Sequence, residues 1–205
     1  MHFELNQVYH IYNRGNNKQQ IFFLESDYLL FLQKIKTQIF PYCDILCWCL
    51  MPNHLHLLIS ANTLSCIERN AFGNTSMQEL SYRIGILLSS YSQIKNKQNG
   101  TTGSLFQQKT KSKKLNSEGL TNWKSINNHY LVSCMHYIHQ NPLFAGLVNK
   151  LEDWNFSSFK DYAGLRDGKL CNKKILLELT DYELSTFYQD SYHVISNGKM
   201  FFENE

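Results

Sequence analysis

The sequence predicts an α+β fold. Extended apolar runs alternate with helical patterns in the order β-α-β-β-α. A turn signal, "MPN", separates the two middle strands. The chain has 205 residues, 43% hydrophobic, with 13 Phe, 12 Tyr and 3 Trp, enough to fill the core of one domain with an extension.

The first strand lies in "LNQVYHIYNRGNN". Val8, Tyr9, Ile11 and Tyr12 favour extended backbone, and the polar stretch from Asn13 to Asn17, with Gly15, ends it. "ESDYLLFLQKIKTQIF" reads as a helix. Ser26 is its expected N-cap, Leu29, Leu30, Leu32, Ile35 and Ile39 form its apolar stripe, and Pro41 closes it. "CDILCWCLM" and "NHLHLLIS" are two apolar runs of strand length. Met77, Leu80, Ile84, Leu87, Leu88, Tyr91 and Ile94 recur at helical spacing and predict a helix from about Ser76 to Lys95. "SINNHYLVSCMHYIHQNP" predicts another from about Ile126 that stops by Pro142. The tail after Gly168 holds one more helical pattern, "KKILLELTDYELSTFYQ".

Composition excludes several classes. The six cysteines include no Cys-x-x-Cys pair, which argues against a zinc ribbon or a thioredoxin-like motif. No segment reaches eighteen consecutive apolar residues, so no membrane span is expected, and "MHFELNQVYH" does not read as a signal peptide. Reducing cytoplasm is the expected compartment. The net charge of +3 is too small to name a partner, but its distribution is uneven. Lys95, Lys97, Lys109, Lys111, Lys113 and Lys114 fall in a window that contains no acid. This cluster is either a groove for a nucleic-acid backbone or a solvated loop.

Two stretches carry candidate chemistry. In an extended strand His54, His56, Leu58 and Ser60 share one face, while Leu55, Leu57 and Ile59 share the other. The aliphatic face can pack on helices, leaving two imidazoles together on the opposite side, spaced to share one divalent metal. Two partly buried histidines with ordinary hydrogen-bond partners are the alternative, since chance alone gives about 0.3 such pairs in a chain like this. On the helix expected from about Ile126, Tyr137 and Asn141 are neighbours one turn apart. Asn141 can offer an amide oxygen to Mg²⁺ or Mn²⁺. A phenol becomes an effective nucleophile toward a phosphate that a metal polarises. The competing reading is a core tyrosine and a simple helix stop.

Five stretches in order resemble one family: "YHIYNRGNN" (Tyr9 to Asn17), "LMPNHLHLLI" (Leu50 to Ile59), "GSLFQQK" (Gly103 to Lys109), "YIHQNPLFAGLV" (Tyr137 to Val148) and "WNFSSFKDY" (Trp154 to Tyr162). Together they are similar to IS200-type transposases, the single-tyrosine class of HUH endonucleases, and most of all to the REP-associated tyrosine transposases. The resemblance covers roughly Leu5 to Gly164. It implies a ferredoxin-like antiparallel sheet with helices on one face, in a transposase domain over residues 1–165. Residues 166–205 would be a C-terminal helical extension without a matched role. The last core strand is expected near "GSLFQQKTKSKKL".

The resemblance further implies His54, His56 and Asn141 as ligands of Mg²⁺ or Mn²⁺ and Tyr137 as nucleophile. The reaction would nick and rejoin single-stranded DNA beside a hairpin through a 5′-phosphotyrosine. Asn13, Arg14, Lys109, Lys111, Lys113 and Lys114 are the expected DNA contacts. Lysines stand where the family often carries an arginine, so a bidentate phosphate grip is missing there. His136 and His139 lie about 100° and 200° around the helix from Tyr137, making them poor general bases. IS200-type relatives pair as homodimers with exchanged tyrosine helices, whereas the REP-associated group is compatible with monomers. A hairpin-binding protein that no longer cuts, and a metal-dependent hydrolase that uses water, are the competing functions.

Overall fold

The computed structural model describes residues 1–70, 76–115 and 123–193, with side chains from 130 onward in the last stretch. In chain order the strands are β1 (Val8–Arg14), β2 (Cys43–Met51), β3 (His54–Ala61), β4 (Glu68–Asn70), β5 (Ser76–Gln78) and β6 (Lys111–Lys114). The helices are α1 (Glu25–Gln38), α2 (Glu79–Asn99), α3 (Trp123–Phe144), α4 (Phe159–Tyr162), α5 (Lys173–Thr180) and α6 (Phe187–His193).

Four strands form one antiparallel sheet in the order β2-β3-β1-β6. With α1 after β1 and α2 before β6, this is the ferredoxin-like arrangement the resemblance implies. The short β4–β5 ribbon, which the helical periodicity around it hides, precedes α2.

Alternation along β3 separates two cores. Leu55, Leu57 and Ile59 pack with Phe31 and Ile35 of α1 and Leu80, Ile84 and Leu87 of α2. Leu58 faces the other way, with Leu46, Cys47 and Cys49 of β2, against Leu131, Cys134, Met135 and Ile138 of α3. Because β2 contributes to both cores, it reads as a continuous apolar run rather than an alternating one. Leu176 of α5 and Phe187 of α6 join the second core, so the C-terminal extension packs on α3 directly.

Local signals explain where elements begin and end, and several ends differ from the sequence reading. Ser26 does not cap α1. Asp27 does so instead, its carboxylate accepting from the N–H groups of Phe23 at 2.9 Å and Leu24 at 3.1 Å. Helix α3 runs past Pro142, which sits in its last turn and removes only the one backbone bond to the Ile138 carbonyl. The stop is Gly146, whose φ of +67° ends the helix. The tail is two helices rather than one, broken at Asp181, where φ is +51°. All six cysteines are free thiols, and burial pushes those of Cys43, Cys47 and Cys49 up. Among the described residues no helix is long and apolar enough to cross a membrane.

Candidate functional site

Strand register assembles the site. On the β1–β3 ladder, His10 lies opposite Leu58, Tyr12 opposite His56, and Arg14 opposite His54. Directly paired residues share a face. One surface therefore carries His10, Tyr12, Arg14, His54 and His56. Strand β6 extends it, with Lys113 opposite His10 and Lys111 opposite Tyr12.

Helix α3 lays Tyr137 and Asn141 on that surface. The Tyr137 ring lies 5.9 Å from the His56 ring and 6.3 Å from the His10 ring, edge-on to both. The rings of His54 and His56 are 4.9 Å apart at 86°. The Asn141 amide donates through Nδ2 to the carbonyl of Tyr137 at 2.9 Å, and its side chain hydrogen-bonds the His54 ring. His54, His56, Asn141 and Tyr137, drawn from a strand and a distant helix, thus meet in one place.

The second contacts of each ring decide what it can offer. His54 Nδ1 meets Asn53 Oδ1 at 2.6 Å, and His56 Nδ1 meets His10 Nε2 at 2.9 Å. Each imidazole could therefore turn Nε2 toward a metal, and Asn141 its Oδ1, with coordination replacing the contact between His54 and Asn141. Two imidazoles and one amide oxygen fit a borderline-to-hard divalent ion. Among the described residues no group of three or more His, Cys, Asp or Glu side chains could hold a metal, so a cage here would need a donor of another type, which Asn141 can offer.

Electrostatics keep the rings neutral. Burial lowers the His54 pKa to about 4, with Arg14 adding to the effect and Asn141 opposing it. Burial, with help from Lys113, lowers His10 to about 3. His56 is held well below its ordinary value by burial and then by His54, His10 and Arg14. Neutral imidazoles present lone pairs at pH 7, as metal ligation requires.

The remaining sequence candidates divide. Arg14 is half-buried beside His54, on the site face. Asn13 points away from it. Its side chain is buried, donating to Gln107 O at 3.2 Å and Thr110 Oγ1 at 2.8 Å while accepting from the Arg14 N–H. It ties β1 to the loop before β6, so a phosphate contact by Asn13 is withdrawn. Lys111 and Lys113 are exposed on the site face, and Lys109 is exposed in the preceding loop. Lys114 pairs opposite Tyr9 on the other face and bonds Glu4 at 2.7 Å. Its assignment as a DNA contact of this site is withdrawn as well. Lys95 leaves the cluster too, buried in an ion pair with Asp27.

His136 and His139 face away from Tyr137. His136 Nδ1 contacts Ser191 Oγ at 3.0 Å, and His139 Nε2 contacts Ser158 Oγ at 2.7 Å. Gln140 Nε2 donates to the Ser191 carbonyl at 2.6 Å. These bonds fasten the back of α3 to α6 and to the segment before α4. The sequence reading missed His10 and Tyr12. A signal existed, because "HIYNR" places His10, Tyr12 and Arg14 on one face of β1. Only the pairing of β1 with β3 makes that face the site.

No family model and no curated protein matches the chain. Among solved structures, the chain is similar to a REP-associated tyrosine transposase bound to a REP hairpin. The two share 16% sequence identity, the match covers 84% of this chain and 94% of that one, and the TM-score is 0.52. By these measures the chain shares the fold of a REP-associated tyrosine transposase.

Proposed function

We propose that the protein is a metal-dependent DNA strand transferase that nicks and rejoins single-stranded DNA beside a hairpin, with Tyr137 as nucleophile. The observation that carries this reading is the meeting of the Tyr137 ring, 5.9 Å from His56, with His54 and Asn141. The shared fold with a transposase bound to a hairpin supports the same substrate class.

His54 Nε2, His56 Nε2 and Asn141 Oδ1 would hold Mg²⁺ or Mn²⁺, a bound ion supplying charge neutralisation at the scissile phosphate. Tyr137 Oη attacks phosphorus in line. The bond to the 3′ oxygen breaks, and that oxygen leaves as a 3′-hydroxyl after taking up a proton. The protein retains a 5′-phosphotyrosine, so attack by another 3′-hydroxyl rejoins DNA without a nucleotide cofactor. The phenol proton passes to solvent, since His10 is too weak a base and His136 and His139 face elsewhere. Arg14, Lys111 and Lys113 line the approach and bind the backbone, with Lys109 at the loop beside them.

The test uses a labelled hairpin with a single-stranded flank and Mg²⁺ or Mn²⁺. A covalent protein–DNA adduct is expected on a denaturing gel. Tyr137→Phe should remove the adduct and keep hairpin binding. An adduct that survives Tyr137→Phe overturns the assignment of the nucleophile. Cleavage without any adduct points to water as nucleophile, and binding without cleavage to a recognition module; either overturns the proposal.

A further inference from the structure

His10 has no part in the reaction just described, yet it is fully buried against the ligand set. Its Nε2 lies 2.9 Å from His56 Nδ1, and the two rings are stacked 5.1 Å apart at 17°. Tyr12 stacks at 5.0 Å on His10 and at 6.2 Å on His56, with all three planes within 29° of one another. One contact fixes the direction of the His56 ring and the stack fixes its plane.

A hydrogen bond between two neutral imidazoles needs one donor and one acceptor. If His56 ligates through Nε2, its proton sits on Nδ1 and that nitrogen donates. His10 Nε2 must then accept, which places the proton of His10 on its own Nδ1.

We propose that His10 is the positioning residue for His56, holding it in the tautomer and orientation that aim Nε2 at the metal. This rests on the metal reading above. Ligating histidines usually have a carboxylate, a carbonyl or a water in this place. A buried neutral imidazole instead keeps the whole set of His10, His54, His56 and Asn141 uncharged. The cation then retains its full charge for the phosphate.

The experiment titrates the metal-free full chain with Mn²⁺ and follows the free ion by electron paramagnetic resonance. His10→Phe, which lacks the acceptor, should weaken Mn²⁺ binding by about 10- to 100-fold. His10→Gln, whose Oε1 can accept the His56 proton, should bind close to wild type. Imidazole ¹⁵N NMR of the unsubstituted protein should find both His10 and His56 protonated on Nδ1. A folded His10→Phe with unchanged affinity overturns the proposal, as does a His10→Gln as weak as His10→Phe. A His56 proton found on Nε2 overturns it even if His10→Phe does not fold. Unsubstituted protein that binds no Mn²⁺ defeats the metal reading itself. A protein that binds Mn²⁺ equally with and without His10 defeats only the positioning role.

Discussion

Lys113 lies in register with His10 across the β1–β6 ladder, so its side chain shares the face of the histidine cluster. Lys114, the next residue, pairs with Tyr9 and reaches Glu4 on the opposite face. A one-residue step along a strand thus separates two lysines that composition alone would count together.

That separation predicts a salt dependence. Each lysine that neutralises a phosphate of single-stranded DNA contributes about 0.7 to the slope of log affinity against log salt. Lys111→Ala and Lys113→Ala should each lower the slope by about that amount, while Lys114→Ala should leave it unchanged. Fluorescence anisotropy across a salt series measures it. Equal effects from all three substitutions would dissolve the distinction between the faces.

Stability depends on a buried ion pair between helices. Lys95 Nζ lies 2.7 Å from Asp27 Oδ1, and both side chains are less than a tenth exposed. Burial works against the charged form of Asp27, but Lys95 and the N–H groups of Phe23 and Leu24 outweigh it and hold the pKa below the usual range. Lys95→Met leaves a buried carboxylate without its partner and should cost about 3–5 kcal/mol. Adding Asp27→Asn should recover part of that loss, because an amide oxygen can still cap α1. Denaturant unfolding of the single and double variants measures the coupling, and strictly additive losses would count against it.

Acid should unfold the metal-free protein early. His10, His56, His136 and His139 are buried, and burial lowers all four pKa values. In the unfolded chain each binds a proton near the ordinary value of 6.5; in the fold each binds only far below it. The stabilisation is therefore complete above pH 6.5 and is lost as the pH falls below it. Each group contributes up to about 1.4 kcal/mol per pH unit in that window. Calorimetry should show a melting temperature that is flat above about pH 7 and falls steeply below about pH 6. A flat profile down to about pH 4.5 would contradict the burial of these rings.

Periodicity made much of this legible. The alternation of β3 placed His54 and His56 opposite the aliphatic face, and the one-turn spacing placed Asn141 beside Tyr137. What sequence could not give was pairing across distance. His10 becomes a partner of His56 only through a register set by the whole sheet. Lys95 leaves the basic cluster because Asp27, 68 positions away, reaches it in the core. Asn13 looked like a polar strand end, but its amide is taken by Gln107 and Thr110. Pro142 looked like a stop, but one lost backbone bond does not end α3, which continues to Phe144 and turns out at Gly146.

Ser191 receives both His136 and Gln140 from the rear of α3, and Ser158 receives His139. Lending this helix to a neighbouring copy would strip those enclosed polar groups of their partners, at about 1–3 kcal/mol for each one left bare. Unless the borrower rebuilt the same bonds, the exchange would run uphill. The C-terminal tail therefore acts as a tether of ownership, favouring a molecule that keeps α3, and Tyr137 with it, in its own fold.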